Sequence, residues 1–495
     1  MQDDKNVSEI KIEDQKIIIH KELSIWEVLI PVIALVGMLA YNVLFVFKDD
    51  ALSGSNQFIL LLGGAVAAIV GLKNKVSFSG MMEEVAENIK STSSAILILL
   101  MVGALAGTWL ISGIIPAMIY YGLQLLNPTF FLTACLIICA VISIATGSSW
   151  TTAATVGIAL VGIGEALGIS LGMTAGAVLS GAYFGDKMSP MSDTTNLAPA
   201  MAGTDLFTHI RYMAYTTVPT FIITVLVFIL IGFTVDPIGQ ADTNLMLHDI
   251  DKAFHITPWL FVVPVIVVFL IVKKTPPLIA LLAGTLLAGI FALLFQSHVV
   301  AQITGATELT FNTAYKGIMQ AITVKTTVAT DNATLQGLFT AGGMVKMLNT
   351  IWLILCAMVF GGIMDAIGAL AKISSFMLHL FNSIFGLFAS TVFTCIGLNI
   401  TASDQYLAIV VPGKMYAKAY KAKGLAPENL SRTLEDSGTV TSVLVPWNTC
   451  GAYHSGVLGV NVGEYFVYAI FNWLSPFMTL LVAAFRIKIK QLTTK

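Results

Sequence analysis

Runs of about twenty apolar residues recur along the chain, and this feature limits its fold more than any other. An α-helix of that length crosses roughly 30 Å of hydrocarbon. Of the 495 residues, 56% are hydrophobic and 11% are charged, and so few ionisable groups cannot cover a water-soluble surface. The pattern predicts an all-α polytopic membrane protein.

Charge, cysteine content and motifs exclude several functions. The net charge of −2 leaves no basic surface of the kind that binding to nucleic acid needs. The five cysteines form no CxxC pair, which argues against a redox or zinc site. Because the sequence contains neither a P-loop nor an HExxH motif, we expect no enzymatic activity, no cofactor and no use of ATP.

The two halves of the sequence share glycine, threonine and proline landmarks. A shift of 255 or 256 residues superimposes Gly107 on Gly362, Gly113 on Gly368, Thr146 on Thr401, and Pro190 on Pro446. Two homologous halves explain these matches most simply. An odd number of spans in each half would invert the second half relative to the first, which is the architecture of many secondary transporters.

We therefore predict two inverted-topology repeats of five spans each plus a re-entrant hairpin. In this arrangement most basic residues outside the membrane fall on one side, which the positive-inside rule makes cytoplasmic. The first repeat spans 24–233 and contains a hairpin 129–166 and a broken helix 170–208. The second repeat spans 257–485 and contains a polar insert 297–340, a hairpin 385–415 and a broken helix 427–457. An exterior linker 234–256 joins the repeats, and the tails are 1–23 and 486–495. Both tails are expected in the cytoplasm, and the chain in the cell (cytoplasmic) membrane.

Helix-breaking residues coincide with clusters of side-chain oxygens. The densest cluster lies at 185–196, where Asp186, Ser189 and Asp193 would share one face if the helix continued past Pro190. Smaller clusters lie at 146–149, 399–404, 435–439 and 446–449. Because Na+ is a hard cation that prefers oxygen ligands, these breaks predict a midplane ion site.

A carboxylate removed from water binds a proton or a cation more readily than it stays bare. Competition of Na+ and H+ for one carboxylate would couple the two gradients. Asp193 is the first candidate and Asp186 the second, with Asp404 and Asp436 in the second half. Two alternatives stay open: Asp186 forms a structural ion pair with Lys187, or Asp436 is only a helix-end residue.

The run Gly181 to Asn196, GAYFGDKMSPMSDTTN, resembles the characteristic motif of NhaC-type Na+/H+ antiporters, and the resemblance extends over about residues 24–485. It implies scaffold and transport domains, an elevator-type motion and a homodimer. The residues that it assigns to the ion or substrate site are Ser148, Asp186, Ser189, Ser192, Asp193, Thr194 and Asn196, with Thr401, Asp404, Asp436 and Asn448 as weaker counterparts. Asp193 and Asp186 are the expected Na+ ligands.

The family also resembles carriers that exchange protonated malate for Na+ and lactate. Lys187 is the only basic residue that we expect in the core, which weighs against a dianionic substrate, although hydroxyls, amides and helix N-termini also hold carboxylates. The expected function is secondary active Na+/H+ antiport within a lipid bilayer, and carboxylate-coupled exchange is the alternative. The hypothesis fails if the aspartates point into open water or are bound to lysine.

Overall fold

The computed structural model describes residues 23–47, 54–125, 127–235, 240–330, 333–380 and 383–492 and is nearly all-helical. The predicted N-terminal tail lies outside the described residues except for Leu23, as do residues 493–495 of the predicted C-terminal tail. The helices of the first half are α1 (Ile25–Tyr41), α2 (Ser55–Lys73), α3 (Phe78–Ser91), α4 (Ser93–Ile111), α5 (Ile114–Leu125), α6 (Pro128–Thr146), α7 (Ser149–Thr152), α8 (Ile158–Ala166), α9 (Leu171–Met188), α10 (Asp193–Ala202) and α11 (Leu206–Gly232).

The second half contains helices α12 to α25. They are α12 (Gln240–Ala253), α13 (Val262–Val272), α14 (Pro277–Phe295), α15 (Ser297–Thr304), α16 (Phe311–Thr323), α17 (Ala333–Leu338), α18 (Gly343–Ala366), α19 (Ala369–Leu380), α20 (Ile384–Thr401), α21 (Leu407–Ala422), α22 (Glu428–Leu434), α23 (Thr449–Leu458), α24 (Val462–Tyr465) and α25 (Ile470–Ala484). Strands β1 (Thr326–Thr327) and β2 (Thr340–Ala341) pair antiparallel. The prediction of a helical chain is confirmed apart from this hairpin of two-residue strands, which lies at the end of the predicted polar insert.

Seven helices in the described part of the chain are long and apolar enough to cross a membrane: α2, α4, α6, α11, α14, α18 and α20. A bent pair, Thr243–Ala253 with Pro258–Val272, meets at 84° and would add an eighth span. The shorter apolar helices are α1, α5 and α25. The chain is therefore a multi-pass membrane protein.

Helices of the two halves interleave in two packed groups. In the first group, α2, α3 and α4 pack with α14, α16 and α18. In the second, α9, α10 and α11 pack with α21, α22 and α25, and α6 lies across α9. The close crossing of α6 and α9 depends on Gly181, where an added Cβ would lie 2.1 Å from the Leu136 carbonyl oxygen. The second group contains Asp186 on α9 and Asp193, Thr194 and Asn196 on α10.

Candidate functional site

The main break in the second group separates α9 from α10. Helix α9 ends at Met188, and the Ser192 hydroxyl accepts a hydrogen bond from the Thr195 amide (3.4 Å) to start α10. Proline cannot continue the helical hydrogen bonds, and serine is a favoured N-cap. The helix is interrupted at 189–192, within the segment 170–208 that the sequence predicts to be a broken helix, so Asp186, Ser189 and Asp193 do not lie on one continuous helical face.

Asp186 lies at the end of α9 and is 8% exposed. One of its carboxylate oxygens accepts hydrogen bonds from the Ser149 amide (3.0 Å) and from the Ser149 hydroxyl (2.6 Å). Ser149 is the first residue of α7, and a helix N-terminus stabilises negative charge. The amide of Ser149 belongs to that N-terminus, so α7 and α9 hold this carboxylate together.

The N-terminus of α10 lies beside Asp186. Asp193 begins α10 with an exposed side chain, while Thr194 is buried and its hydroxyl shares a hydrogen bond with that of Ser192 (3.2 Å). The carboxylates of Asp186 and Asp193 are close enough to interact electrostatically. Asp193 is thus the more accessible of the two predicted Na+ ligands.

A second break, between α20 and α21, brings in Asp404. Its side chain is 7% exposed, and one oxygen accepts from the amides of Tyr406 (2.8 Å) and Leu407 (3.1 Å) at the start of α21. The Tyr406 hydroxyl experiences the charges of Asp193, Asp404 and Asp186. Three of the four aspartates therefore lie within electrostatic range of one tyrosine. Thr401 ends α20 and its hydroxyl donates to the Gly397 carbonyl (2.8 Å).

Asp436 has a different environment from the other three aspartates. It is fully buried, and its carboxylate pairs with the buried ammonium of Lys187 and accepts a hydrogen bond from the Thr479 hydroxyl. The alternative that Lys187 pairs with Asp186 is wrong, since Lys187 bonds to the second half of the chain. An aspartate that is bound to lysine was the outcome expected to count against a role as an ion ligand, and Asp436 is bound to Lys187.

Several candidate side chains stabilise the breaks themselves. Ser148 caps α7 by accepting from the Thr151 amide (3.2 Å), and Asn448 caps α23 by accepting from the Cys450 amide (3.0 Å). Ser189 donates to the Ile144 carbonyl (2.8 Å). Asn196 donates to the carbonyls of Pro190 (3.0 Å) and Ser192 (2.7 Å). These bonds satisfy polar groups that an interrupted helix leaves unpaired.

Two buried charged residues do not figure among the predicted site residues. Glu435 starts a π-helical segment, Glu435–Thr439, and is fully buried with neither carboxylate oxygen hydrogen-bonded. Arg432 is also fully buried, none of its guanidinium nitrogens is hydrogen-bonded, and it lies over the rings of Tyr212 (4.7 Å) and Phe388 (5.9 Å). The expectation that Lys187 is the only basic residue in the core is therefore wrong.

Among the described residues, no group of three or more His, Cys, Asp and Glu side chains is arranged to hold a metal ion. Hydroxyls instead accompany the carboxylates, as they do at Asp186 and Ser149. Fold and site together define a polytopic membrane protein whose interrupted helices bring single carboxylates and hydroxyls into its interior.

Comparison with known proteins identifies the family. A profile described as the Na+/H+ antiporter family matches residues 181–487. The chain is 37% identical to the Na+/H+ antiporter NhaC of Alkalihalophilus pseudofirmus, over 84% of this chain and 87% of that protein. The chain belongs to the Na+/H+ antiporter family, which is a family of transporters and not of enzymes.

Other relatives differ in their named substrates. The chain is 36% identical to the malate-2H+/Na+-lactate antiporter of Bacillus subtilis, over 85% of this chain and 86% of that protein. It is 31% identical to the arginine/ornithine antiporter ArcD of Halobacterium salinarum, over 94% of this chain and 92% of that protein. Relatives of this chain are thus named both as exchangers of inorganic ions and as exchangers of organic solutes.

Proposed function

We propose that this chain exchanges Na+ for H+ across the cytoplasmic membrane by alternating access. Na+ and H+ would compete for the carboxylates of Asp186 and its neighbours Asp193 and Asp404. No enzymatic step, resident cofactor or ATP is needed, because the gradient of one ion drives the other. The relatives named as Na+/H+ antiporters support this proposal.

The observation that carries the proposal is the environment of Asp186. Its carboxylate is buried and hydrogen-bonded to Ser149, and in the described part of the chain no lysine or arginine pairs with it. The neighbouring Lys187 is engaged by Asp436. A buried carboxylate without a basic partner is costly, so it favours binding a proton or a cation.

Two inverted repeats would provide the alternating access, and matching helix ends support them. Gly113 and Gly368 have φ of 79° and 76° at the breaks α4–α5 and α18–α19. The helices α10 and α23 are both ten residues long. Their caps Ser192 and Asn448, and the glycines that follow them, Gly203 (φ 84°) and Gly459 (φ 70°), correspond at a shift of 256 residues.

Reciprocal packing gives independent support for the repeats. An added Cβ at Gly107 of α4 would lie 1.8 Å from the Ala321 carbonyl oxygen of α16, and one at Gly362 of α18 would lie 2.7 Å from the Val85 Cα of α3. At each glycine, an amphipathic helix from the opposite half therefore packs in close contact with the backbone. Such reciprocity is expected of a two-fold relation between the halves.

The two packed groups are also consistent with one static and one moving domain. The first group would be the scaffold and the second the transport domain of an elevator-type motion, with the hairpins 129–166 and 385–415 in the moving part. Cytoplasmic termini and a homodimer stay predictions from the sequence. Cross-linking of single cysteines placed in α4 and α9, under inward and outward Na+ gradients, tests whether the groups move relative to each other.

Replacement of Asp186 tests the proposed function directly. In vesicles reconstituted with the Asp186→Asn variant, we expect no Na+-driven proton movement although the protein still inserts, because the amide cannot exchange a proton. Asp193→Asn should also abolish transport if both aspartates serve the ion. Normal exchange by either variant would remove that residue from the mechanism.

Carboxylate-coupled exchange is a second candidate, which Arg432 favours. A buried guanidinium with no hydrogen-bond partner is suited to bind a carboxylate in bidentate geometry. The two candidates differ in one requirement. If Na+ alone, with no organic acid present, dissipates a proton gradient in vesicles, the inorganic exchange stands; a strict need for malate or lactate establishes the second candidate.

A further inference from the structure

The surroundings of Glu435 combine three features that a cation site needs. The side chain is completely buried, both of its carboxylate oxygens lack a hydrogen-bond partner, and the hydroxyl of Thr439 on the same π-helical segment lacks one as well. π-Helical turns inside α-helices occur frequently at functional sites. A buried carboxylate and a buried hydroxyl on one π-helical segment, both without a partner, point to a ligand that they share.

A third oxygen comes from the first half of the chain. Helix α10, which carries Thr194, packs against the segment Glu435–Thr439, so the hydroxyls of Thr194 and Thr439 both lie near the Glu435 carboxylate, whose two oxygens are without a hydrogen-bond partner. The Thr194 hydroxyl instead shares its bond with Ser192. Three side chains thus supply four oxygens from two interrupted helices, and all three are buried.

Neither nearby base neutralises Glu435. Lys187 acts on it electrostatically, but its ammonium pairs with Asp436. Arg432, one turn earlier in α22, directs its guanidinium to the faces of Tyr212 and Phe388 and forms no ion pair in the described part of the chain. The carboxylate therefore binds either a proton or a cation that is not a side chain.

We propose that Glu435, Thr439 and Thr194 form a second site for a monovalent cation, with Na+ as the ion. A carboxylate and hydroxyls are the hard oxygen ligands that such an ion prefers, and water or backbone carbonyls would complete its coordination. The identity of the ion rests on the proposed function, whereas the existence of the site rests on the geometry alone.

This site uses a different carboxylate from the one at Asp186, although the two carboxylates are close enough to interact electrostatically. Asp186 is held by Ser149 on α7, while Glu435 lies on the segment after α22, and Thr194 stands beside Glu435 on a helix that starts next to Asp186. A shift of 256 residues places Glu435 on Leu179, so the first repeat has no counterpart to the site. Two cations bound to one chain would make the Na+ dependence of transport cooperative.

Equilibrium binding of radioactive Na+ to the purified full chain at fixed pH tests the site without measuring transport. We expect two Na+ per chain for the unaltered protein, one for Glu435→Gln and one for Asp186→Asn. The exposed Glu464→Gln, which removes the same charge from α24, a helix that carries none of the proposed ligands, should still bind two. Two Na+ bound to Glu435→Gln would overturn the proposal.

A milder variant keeps the test decisive if Glu435→Gln does not fold. Thr439→Val retains shape and removes one ligand oxygen, and the affinity of one of the two Na+ should fall roughly tenfold. Unchanged affinity for both ions would count against the site. Two bound Na+ without any proton flux would leave the site standing and refute the proposed antiport, so the two failures are distinguishable.

Discussion

Replacing Lys187 by methionine should destabilise the protein strongly, because it isolates a buried carboxylate. Lys187 and Asp436 are both fully buried, and the other bond of Asp436 is to the Thr479 hydroxyl. Removing one partner of a buried ion pair costs about 3–5 kcal/mol. At about 1.4 kcal/mol for each tenfold change, the folding equilibrium should fall by roughly two to three and a half orders of magnitude.

The double variant Lys187→Met with Asp436→Leu provides the matched comparison. Replacing a whole buried pair by apolar residues is often neutral or stabilising, so the double variant should recover most of the lost stability in SDS-induced unfolding. It should also recover transport if Asp436 is a structural partner of Lys187. If the stability losses of the two single variants add up in the double variant, the ion pair is refuted. A double variant that is stable but inactive would indicate that Asp436 binds the transported ion.

Three further predictions follow from packing, hydrogen bonding and competition. Gly107→Ala should lower stability by about 1–3 kcal/mol or more, because its Cβ would meet the Ala321 carbonyl oxygen at 1.8 Å, whereas Gly37→Ala, with nothing within 4 Å, should have little effect in the same unfolding assay. Asn399→Ala should cost about 1–3 kcal/mol, since it removes buried bonds to the Gly438 carbonyl and the Thr441 hydroxyl; unchanged stability would contradict this. Raising the proton concentration on the side that supplies Na+ should raise the Na+ concentration for half-maximal flux, and a constant value would indicate separate sites for the two ions.

Local features of the sequence were sufficient to predict the breaks in the helices. Glycine and proline act on their own backbone, so the ends of α6 at Gly147 and of α9 before Pro190 follow from residues next to them. The caps of α10 and α23 follow in the same way, because Ser192 and Asn448 are favoured cap residues. The dense oxygens at 185–196 likewise marked the segment that contains Asp186.

Partners far apart in the sequence were not predictable. Lys187 bonds to Asp436, 249 residues away, and local patterns carry no information about that distance. Arg432 follows a lysine-rich loop, so its sequence context predicts a cytoplasmic residue. In the structure it is buried against the rings of Tyr212 and Phe388. The choice between Ser148 and Ser149 also needs coordinates, because one caps α7 while the other faces Asp186.

The interleaving of the two halves has a consequence for biogenesis. Helices α2, α3 and α4 leave the ribosome before α14, α16 and α18, against which they pack. Until the second half is synthesised, lipid alone covers the glycine-lined faces of the first half. Lipid does not pack well into a groove that fits the backbone of another helix. Neither half expressed alone should assemble, and joint synthesis of two separate halves should restore the assembled protein.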